Sequence, residues 1–200
     1  MIPIQIIYIG VSSCLYIAIG GFWDFTANMS FKDTAYTTEA IGPHTDNTYF
    51  TDPARLQLFH LLSHTDGEGG ETVLVDGFQV AKKLCQECNQ AVYPLVNYPQ
   101  PFHSSGNEDV CIQPVLQAPV LSVMPRSKQL YQIRWNNYDR GPKTDWSLHE
   151  QSEWYDAARR FNELVNRMQV WYKLEPGTAL RKWRMESSLF FLRCLTVFAF

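Results

Sequence analysis

The chain reads as one mostly β domain carrying two helices, in the sandwich or jelly-roll class. Three observations lead there. Its 200 residues, 46% of them hydrophobic, suit a single domain with a real core. Short β-rich runs separated by turn signals fill its middle, without the strand–helix–strand rhythm of a parallel sheet. No internal repeat or low-complexity linker divides it.

The first 23 residues, "MIPIQIIYIGVSSCLYIAIGGFW", carry no charge. That length could span a bilayer as a helix. The segment is β-branched, however, and holds three glycines by Gly21. It lacks both the basic n-region of a secretory signal and the arginines of a mitochondrial presequence. A buried strand, or sequence foreign to the fold, competes on at least equal terms with a membrane anchor.

Four runs rich in leucine, β-branched and aromatic residues follow: "LQLFHLLS" (56–63), "ETVLVDG" (71–77), "APVLSVM" (118–124) and "QLYQIRWNN" (129–137). The turn signals "TDGEGG", "MPRSK" and "DRGP" punctuate them. Residues 79–92 read as a surface helix. The clearest helix covers 150–169. There Trp154, Tyr155, Ala158, Phe161, Leu164, Val165 and Met168 fall at i, i+1, i+4, i+7, i+10, i+11 and i+14, one apolar face. "KLEPGTAL" (173–180) is a turn delivering the chain into another strand.

Composition narrows the function classes. A formal net charge of -3 gives no basic footprint and argues against nucleic acid as a partner. Charged residues, at 18%, fall below the roughly 25% usual for soluble domains. The shortage lies mainly at the two ends. Five cysteines (Cys14, Cys85, Cys88, Cys111, Cys194) are odd in number and too sparse for a disulfide scaffold. Cys85 and Cys88 form a CxxC without the second ligand pair that zinc needs, so they read as two reduced thiols in a reducing compartment.

The motif with chemical content is "IGPHTDNTYF" (41–50). On a strand, the period of two puts His44 and Asp46 on one face. An imidazole and a carboxylate so placed can hold two adjacent positions of an octahedral metal. By spacing alone the signal is weak, because a surface turn is the commoner origin of such a pair. His60 sits in an apolar run and reads as a core or supporting histidine. His64, His103 and His149 read as solvent-facing.

Four blocks, "DTAYTTEAIGPHTDNTYF", "QLFHLLSHTDGEGGETVLVDGF", "YQIRWNNYDR" and "KLEPGTAL", share order and separations with a known family. Over about residues 20–180 the chain resembles the Fe(II)/2-oxoglutarate dioxygenases of carnitine biosynthesis. The resemblance implies a double-stranded β-helix (jelly roll) with flanking helices, incomplete at its C-terminal end. It would occupy residues 20–180, between divergent apolar segments at 1–19 and 181–200. It further implies Fe(II), 2-oxoglutarate as co-substrate and ascorbate as reductant. The implied reaction is hydroxylation of the small molecule Nε-trimethyllysine to its 3-hydroxy derivative, with a γ-butyrobetaine-type reaction as the alternative. Mitochondrial localisation comes from the same source, the cytoplasm being the default otherwise, and a homo-oligomer is compatible with it.

Carried over by position, His44 and Asp46 match two iron ligands, and Thr72 matches the threonine that hydrogen-bonds the distal carboxylate of 2-oxoglutarate. Trp23 and Tyr36 match members of an aromatic cage for the substrate's trimethylammonium group, a cation that ring faces attract and that has no hydrogen to donate. For Trp23, core packing explains the residue equally well. Asn136 and Asn137 match polar groups facing the substrate cavity.

The chain also departs from the family. After "KLEPGTAL" it reads "RKWRMESSLFFLRCLTVFAF". The family's distal ligand histidine falls on Leu189, or on Ser187 when Trp183 and Arg184 set the alignment. No histidine follows His149. Arg193 stands without the context of the family's 2-oxoglutarate arginine. A third cage aromatic falls on Ile19. Three expectations therefore stand side by side: an active dioxygenase, a catalytically incompetent fragment or isoform of one, and a protein attached to a membrane by its N-terminus.

Overall fold

The computed structural model describes residues 3–9, 22–26, 40–53, 56–64, 69–105, 111–183 and 195–198. Among the described residues strands dominate and every strand pairing is antiparallel. A four-stranded sheet contains β1 (Pro3–Ile9), β2 (Phe22–Thr26), β3 (Leu56–Leu61) and β10 (Ala179–Trp183), in the order β10-β3-β1-β2. A three-stranded sheet places β4 (Glu71–Val75) between β9 (Val170–Lys173) and β11 (Leu195–Phe198). Two small ribbons complete the set: β5 (Ser104–Ser105) with β6 (Cys111–Ile112), and β7 (Leu121–Val123) with β8 (Leu130–Ile133).

The helices form one layer. Asp76 starts α1 (Gly77–Glu87), its Oδ1 accepting from the Phe78 and Gln79 amides at 3.0 Å each. Such a cap satisfies two of the four donors a helix start leaves open. A short 3-10 turn, Asn89–Ala91, and α2 (Val92–Asn97) follow, so the expected helix 79–92 is three shorter pieces. Helix α3 (Leu148–Arg167) opens on a capping box, with the Ser147 hydroxyl taking the Glu150 amide and the Glu150 carboxylate taking the Ser147 amide.

The α3 stripe makes the core. Trp154, Phe161 and Val165 are fully buried, with Ala157, Ala158 and Leu164 beside them. They pack with Val80 and Leu84 of α1, Val73 and Val75 of β4, and Ile133 and Trp135 around β8. Burying each large side chain here contributes about 1.5–3 kcal/mol. One expected member of the stripe fails: Tyr155 is half exposed, and Ala157 takes the buried place. Tyr155 lies about 100° around the helix from Trp154, at the edge of the stripe, where its ring reaches the surface.

The consequence for the site is the two-faced character of β4 and β8. Strand alternation sends Val73, Val75, Ile133 and Trp135 toward the helices. It leaves Thr72, Gln132 and Arg134 on the other side, where they too are buried. Among the described residues no helix is long and apolar enough to cross a membrane.

Candidate metal centre

The segment 41–51 is irregular, with His44 in an isolated bridge and a turn at residues 48–49, rather than a strand through Asp46. His44 and Asp46 still converge: His44 Nε2 lies 3.1 Å from Asp46 Oδ1. On its other side the ring meets the Gly42 carbonyl, with Nδ1 at 2.9 Å. An Nδ1–H donated to that carbonyl fixes the tautomer and leaves the Nε2 lone pair directed at the carboxylate. Either a second proton or a cation between Nε2 and Oδ1 satisfies both groups. This donor pair, one neutral nitrogen and one anionic oxygen, fits two positions of a divalent transition metal. Among the described residues no group of three or more histidine, cysteine or acidic side chains forms a metal cluster, so the pair is short of a third donor.

The turn bends immediately after the pair. Asn47 takes φ 55°, a left-handed conformation that asparagine tolerates better than most residues, and the Phe50 amide closes back on its carbonyl at 3.0 Å. Residues 134–139 then grip the turn at three points. Thr45 and Trp135 exchange bonds: the Thr45 amide donates to the Trp135 carbonyl at 2.6 Å, and the Trp135 amide donates to the Thr45 hydroxyl at 2.9 Å. The Thr48 hydroxyl donates to Asp139 Oδ2 at 2.7 Å. The Arg134 guanidinium donates to the Thr51 carbonyl at 2.9 Å and, through its other terminal nitrogen, to the Ser122 hydroxyl at 3.2 Å.

This gripping segment is itself anchored. The Asp139 carbonyl accepts the His103 amide at 2.8 Å, and the Gly141 amide donates to Pro101 at 2.8 Å. A Cβ on Gly141 would come within 3.1 Å of the Pro101 Cβ, so the close approach favours glycine. Further along, Lys143 is buried against α3, with Nζ 4.1 Å from the Trp154 ring centroid and 4.6 Å from that of Tyr155. Arg140 lies over the same two rings. Cation–π attraction thus ties the gripping segment to the core helix.

The electrostatics around the turn are crowded with acid. Burial pushes the Asp139 carboxyl above the usual range, the Thr48 hydrogen bond works against it, and the nearby Asp46 charge adds to the rise. Burial also raises the Tyr49 phenol, opposed by hydrogen bonds with Asn47 and Ser104. A cavity of about 290 Å³ opens beyond the turn, lined among others by Thr48, Tyr49, Thr51, Tyr131 and Arg134.

The remaining expected site residues distribute as follows. Thr72 is fully buried on β4, on the face away from the helices, and its hydroxyl has no partner among the described residues. Asn136 is buried and its Oδ1 accepts the Tyr138 amide at 2.9 Å, a turn bond, whereas Asn137 is exposed. Trp23 lies on β2, where the backbone is described, and Tyr36 falls outside the described residues. His64, expected at the surface, is half-buried and its Nε2 is buried with no partner among the described residues; His149 is exposed as expected. Asp139 and the Thr45, Thr48 and Thr51 contacts were not anticipated. The acid inside "NNYDR", beside two asparagines already singled out, was the available signal.

The profile of the family described as "Taurine catabolism dioxygenase TauD, TfdA family" matches residues 16–180. Trimethyllysine dioxygenase of Meyerozyma guilliermondii is 42% identical over 164 residues, covering 80% of this chain and 41% of that protein. The human protein named "Trimethyllysine dioxygenase, mitochondrial" is 37% identical over 171 residues, covering 83% of this chain and 40% of that protein. The chain thus spans about two fifths of the length of these curated relatives. Among solved structures, asparagine oxygenase in complex with Fe(II), 2S,3S-3-hydroxyasparagine and succinate superposes with a TM-score of 0.55 at 16% identity. That superposition covers 98% of this chain and 49% of the other, a likeness of fold.

Proposed function

This chain belongs to the taurine catabolism dioxygenase TauD, TfdA family, and from that premise we propose that it carries part of an Fe(II)- and 2-oxoglutarate-dependent centre for hydroxylating Nε-trimethyllysine at its 3-carbon. The observation that carries the reading is the convergence of His44 Nε2 and Asp46 Oδ1 at 3.1 Å on a turn fastened from one segment. The trimethyllysine dioxygenases at 37% and 42% identity supply the substrate class. The two larger sheets are, on this reading, the facing halves of a double-stranded β-helix. The relative named as mitochondrial supports that compartment.

His44 and Asp46 hold the iron, with the Gly42 carbonyl keeping the imidazole in the tautomer that presents Nε2. Bound there, Fe(II) supplies the redox chemistry that activates dioxygen, with ascorbate as the reductant that keeps it ferrous. Thr72 donates its hydroxyl, which has no partner among the described residues, to the distal carboxylate of 2-oxoglutarate. Trp23 and Tyr36 cage the trimethylammonium group, and Asn136 and Asn137 line the polar side of the substrate path.

One observation favours a second reading, a catalytically incompetent centre that binds metal weakly. Among the described residues the pair has no third donor beside it. Succinate formation with Fe(II), 2-oxoglutarate, ascorbate and trimethyllysine decides between the two. Turnover above a His44→Ala control supports the hydroxylase. Metal uptake lost in His44→Ala, without turnover, supports the partial centre. The same assay with γ-butyrobetaine tests the choice of substrate.

A further inference from the structure

The segment that grips the metal turn ends on a carboxylate whose chemistry nothing above uses. Asp139 is partly buried, and its Oδ2 takes the Thr48 hydroxyl at 2.7 Å. Its backbone is fixed independently, by the His103 amide on its carbonyl and by the bridge between Phe102 and Arg140. Its neighbour Arg140 lies over the Trp154 and Tyr155 rings of α3. Asp139 is therefore a rigidly mounted acceptor aimed at a residue two positions beyond Asp46.

We propose that Asp139 is a positioning residue for the metal pair, acting through Thr48 to fix the turn that carries Asp46. The proposal rests on the metal reading of His44 and Asp46. The geometry favours positioning over ligation, because Oδ2 is committed to Thr48 and Asp139 forms no three-donor cluster with the pair. It also has a mechanical basis. Asn47 bends the chain directly after Asp46 with φ 55°, so the direction of the Asp46 carboxylate depends on what holds the turn beyond the bend. Thr48 is the first side chain after that bend, 2% exposed, and Asp139 is the carboxylate it meets. Loss of a group bonded directly to a ligand typically weakens metal affinity by about 10–100-fold, and Asp139, which acts one bond further out through Thr48, belongs at the lower end of that range.

Mn(II) uptake by the 200-residue chain, read from the free-ion electron paramagnetic resonance signal, tests this without any need for turnover. Asp139→Ala and Thr48→Val are each expected to weaken Mn(II) binding by about tenfold or more. The double variant is expected to be no weaker than either single one, since both remove one bond. Asp139→Asn keeps an acceptor for the Thr48 hydroxyl and is expected to bind within about threefold of the parent, well short of the loss expected for a missing positioning partner. Circular dichroism at the measuring temperature confines the comparison to folded protein, and Thr48→Val serves if Asp139→Ala fails to fold. Equal affinity in Asp139→Ala and the parent overturns the proposal. So does an Asp139→Asn variant as weak as Asp139→Ala, because negative charge rather than positioning would then be the contribution. A parent chain that takes up no Mn(II) overturns the metal reading itself, and the inference falls with it.

Discussion

Thr45 and Trp135 hold each other by two reciprocal bonds, the Thr45 amide donating to the Trp135 carbonyl at 2.6 Å and the Trp135 amide donating to the Thr45 hydroxyl at 2.9 Å, although 90 residues separate them. Both are buried, at 3% exposure each, so water cannot replace either bond. The contact joins the residue between the two candidate ligands to the segment just beyond β8, whose Trp135 ring packs in the α3 core.

Removing the Thr45 hydroxyl therefore leaves the Trp135 amide without its acceptor. Thr45→Val is expected to cost about 1–3 kcal/mol, the penalty for a buried donor left unsatisfied. Thr45→Ser, which keeps the hydroxyl, should recover most of that loss. Urea unfolding of the three proteins, compared at constant slope, measures it.

Asn47 gives a second, purely backbone prediction. Its φ of 55° favours residues that accept the left-handed region. Asn47→Ala should destabilise by about 1–2 kcal/mol relative to Asn47→Gly, because alanine carries the Cβ penalty that glycine lacks. Both substitutions remove the side-chain bond to Tyr49, so their difference isolates the backbone. Equal stabilities would show that the turn relaxes.

What the sequence revealed about this site follows from distance along the chain. His44 and Asp46 are two residues apart, and their pairing is legible in one short motif. The strands are legible wherever apolar runs end at glycine, proline or aspartate, as around "TDGEGG". The three-point grip joins residues 83, 90 and 91 positions apart, and no local periodicity encodes such a partnership. Tyr155 shows the limit of the helical stripe itself: spacing placed it near the apolar face, and only packing decided that Ala157 is buried instead. Asp139 escaped for both reasons, being a charged residue in a turn whose partner lies far away in sequence.

Thr72 sets stability against binding. Its hydroxyl is fully buried on β4 with no partner among the described residues, an arrangement that costs about 1–3 kcal/mol. Thr72→Val, nearly equal in volume, should therefore raise the unfolding midpoint in the absence of ligand. If that hydroxyl serves the distal carboxylate of 2-oxoglutarate, the same variant should bind 2-oxoglutarate about tenfold or more weakly, as the loss of one charge-assisted bond implies. Calorimetric titration with 2-oxoglutarate and Mn(II) checks the second half. A stabilised variant with unchanged affinity would assign Thr72 to ordinary strand packing.

Lys143 makes the stability of this chain depend on pH in a definite direction. Burial, reinforced by the Arg140 charge, lowers its ammonium from the usual lysine range to about 8. The contacts that retain the proton are the Trp146, Trp154 and Tyr155 rings and the Tyr155 hydroxyl, which Nζ reaches at 3.4 Å. The unfolded chain keeps an ordinary lysine, protonated up to about pH 10.4. Between about pH 8 and that value the unfolded state binds the extra proton, so stability rises with pH through this window. Tyr98 acts in the opposite sense only at higher pH, because its hydrogen bond to Glu153 pushes its phenol up to about 12, and the unfolded chain loses that proton first from about pH 10. Urea unfolding between about pH 7.5 and 9.5 therefore isolates Lys143. The parent should gain stability across the range relative to Lys143→Met, whose side chain fills similar space without a charge. Parallel curves for the two proteins would mean that the aromatic rings hold the ammonium as well as water does, and that the grip on the metal turn does not loosen or tighten with pH through this residue.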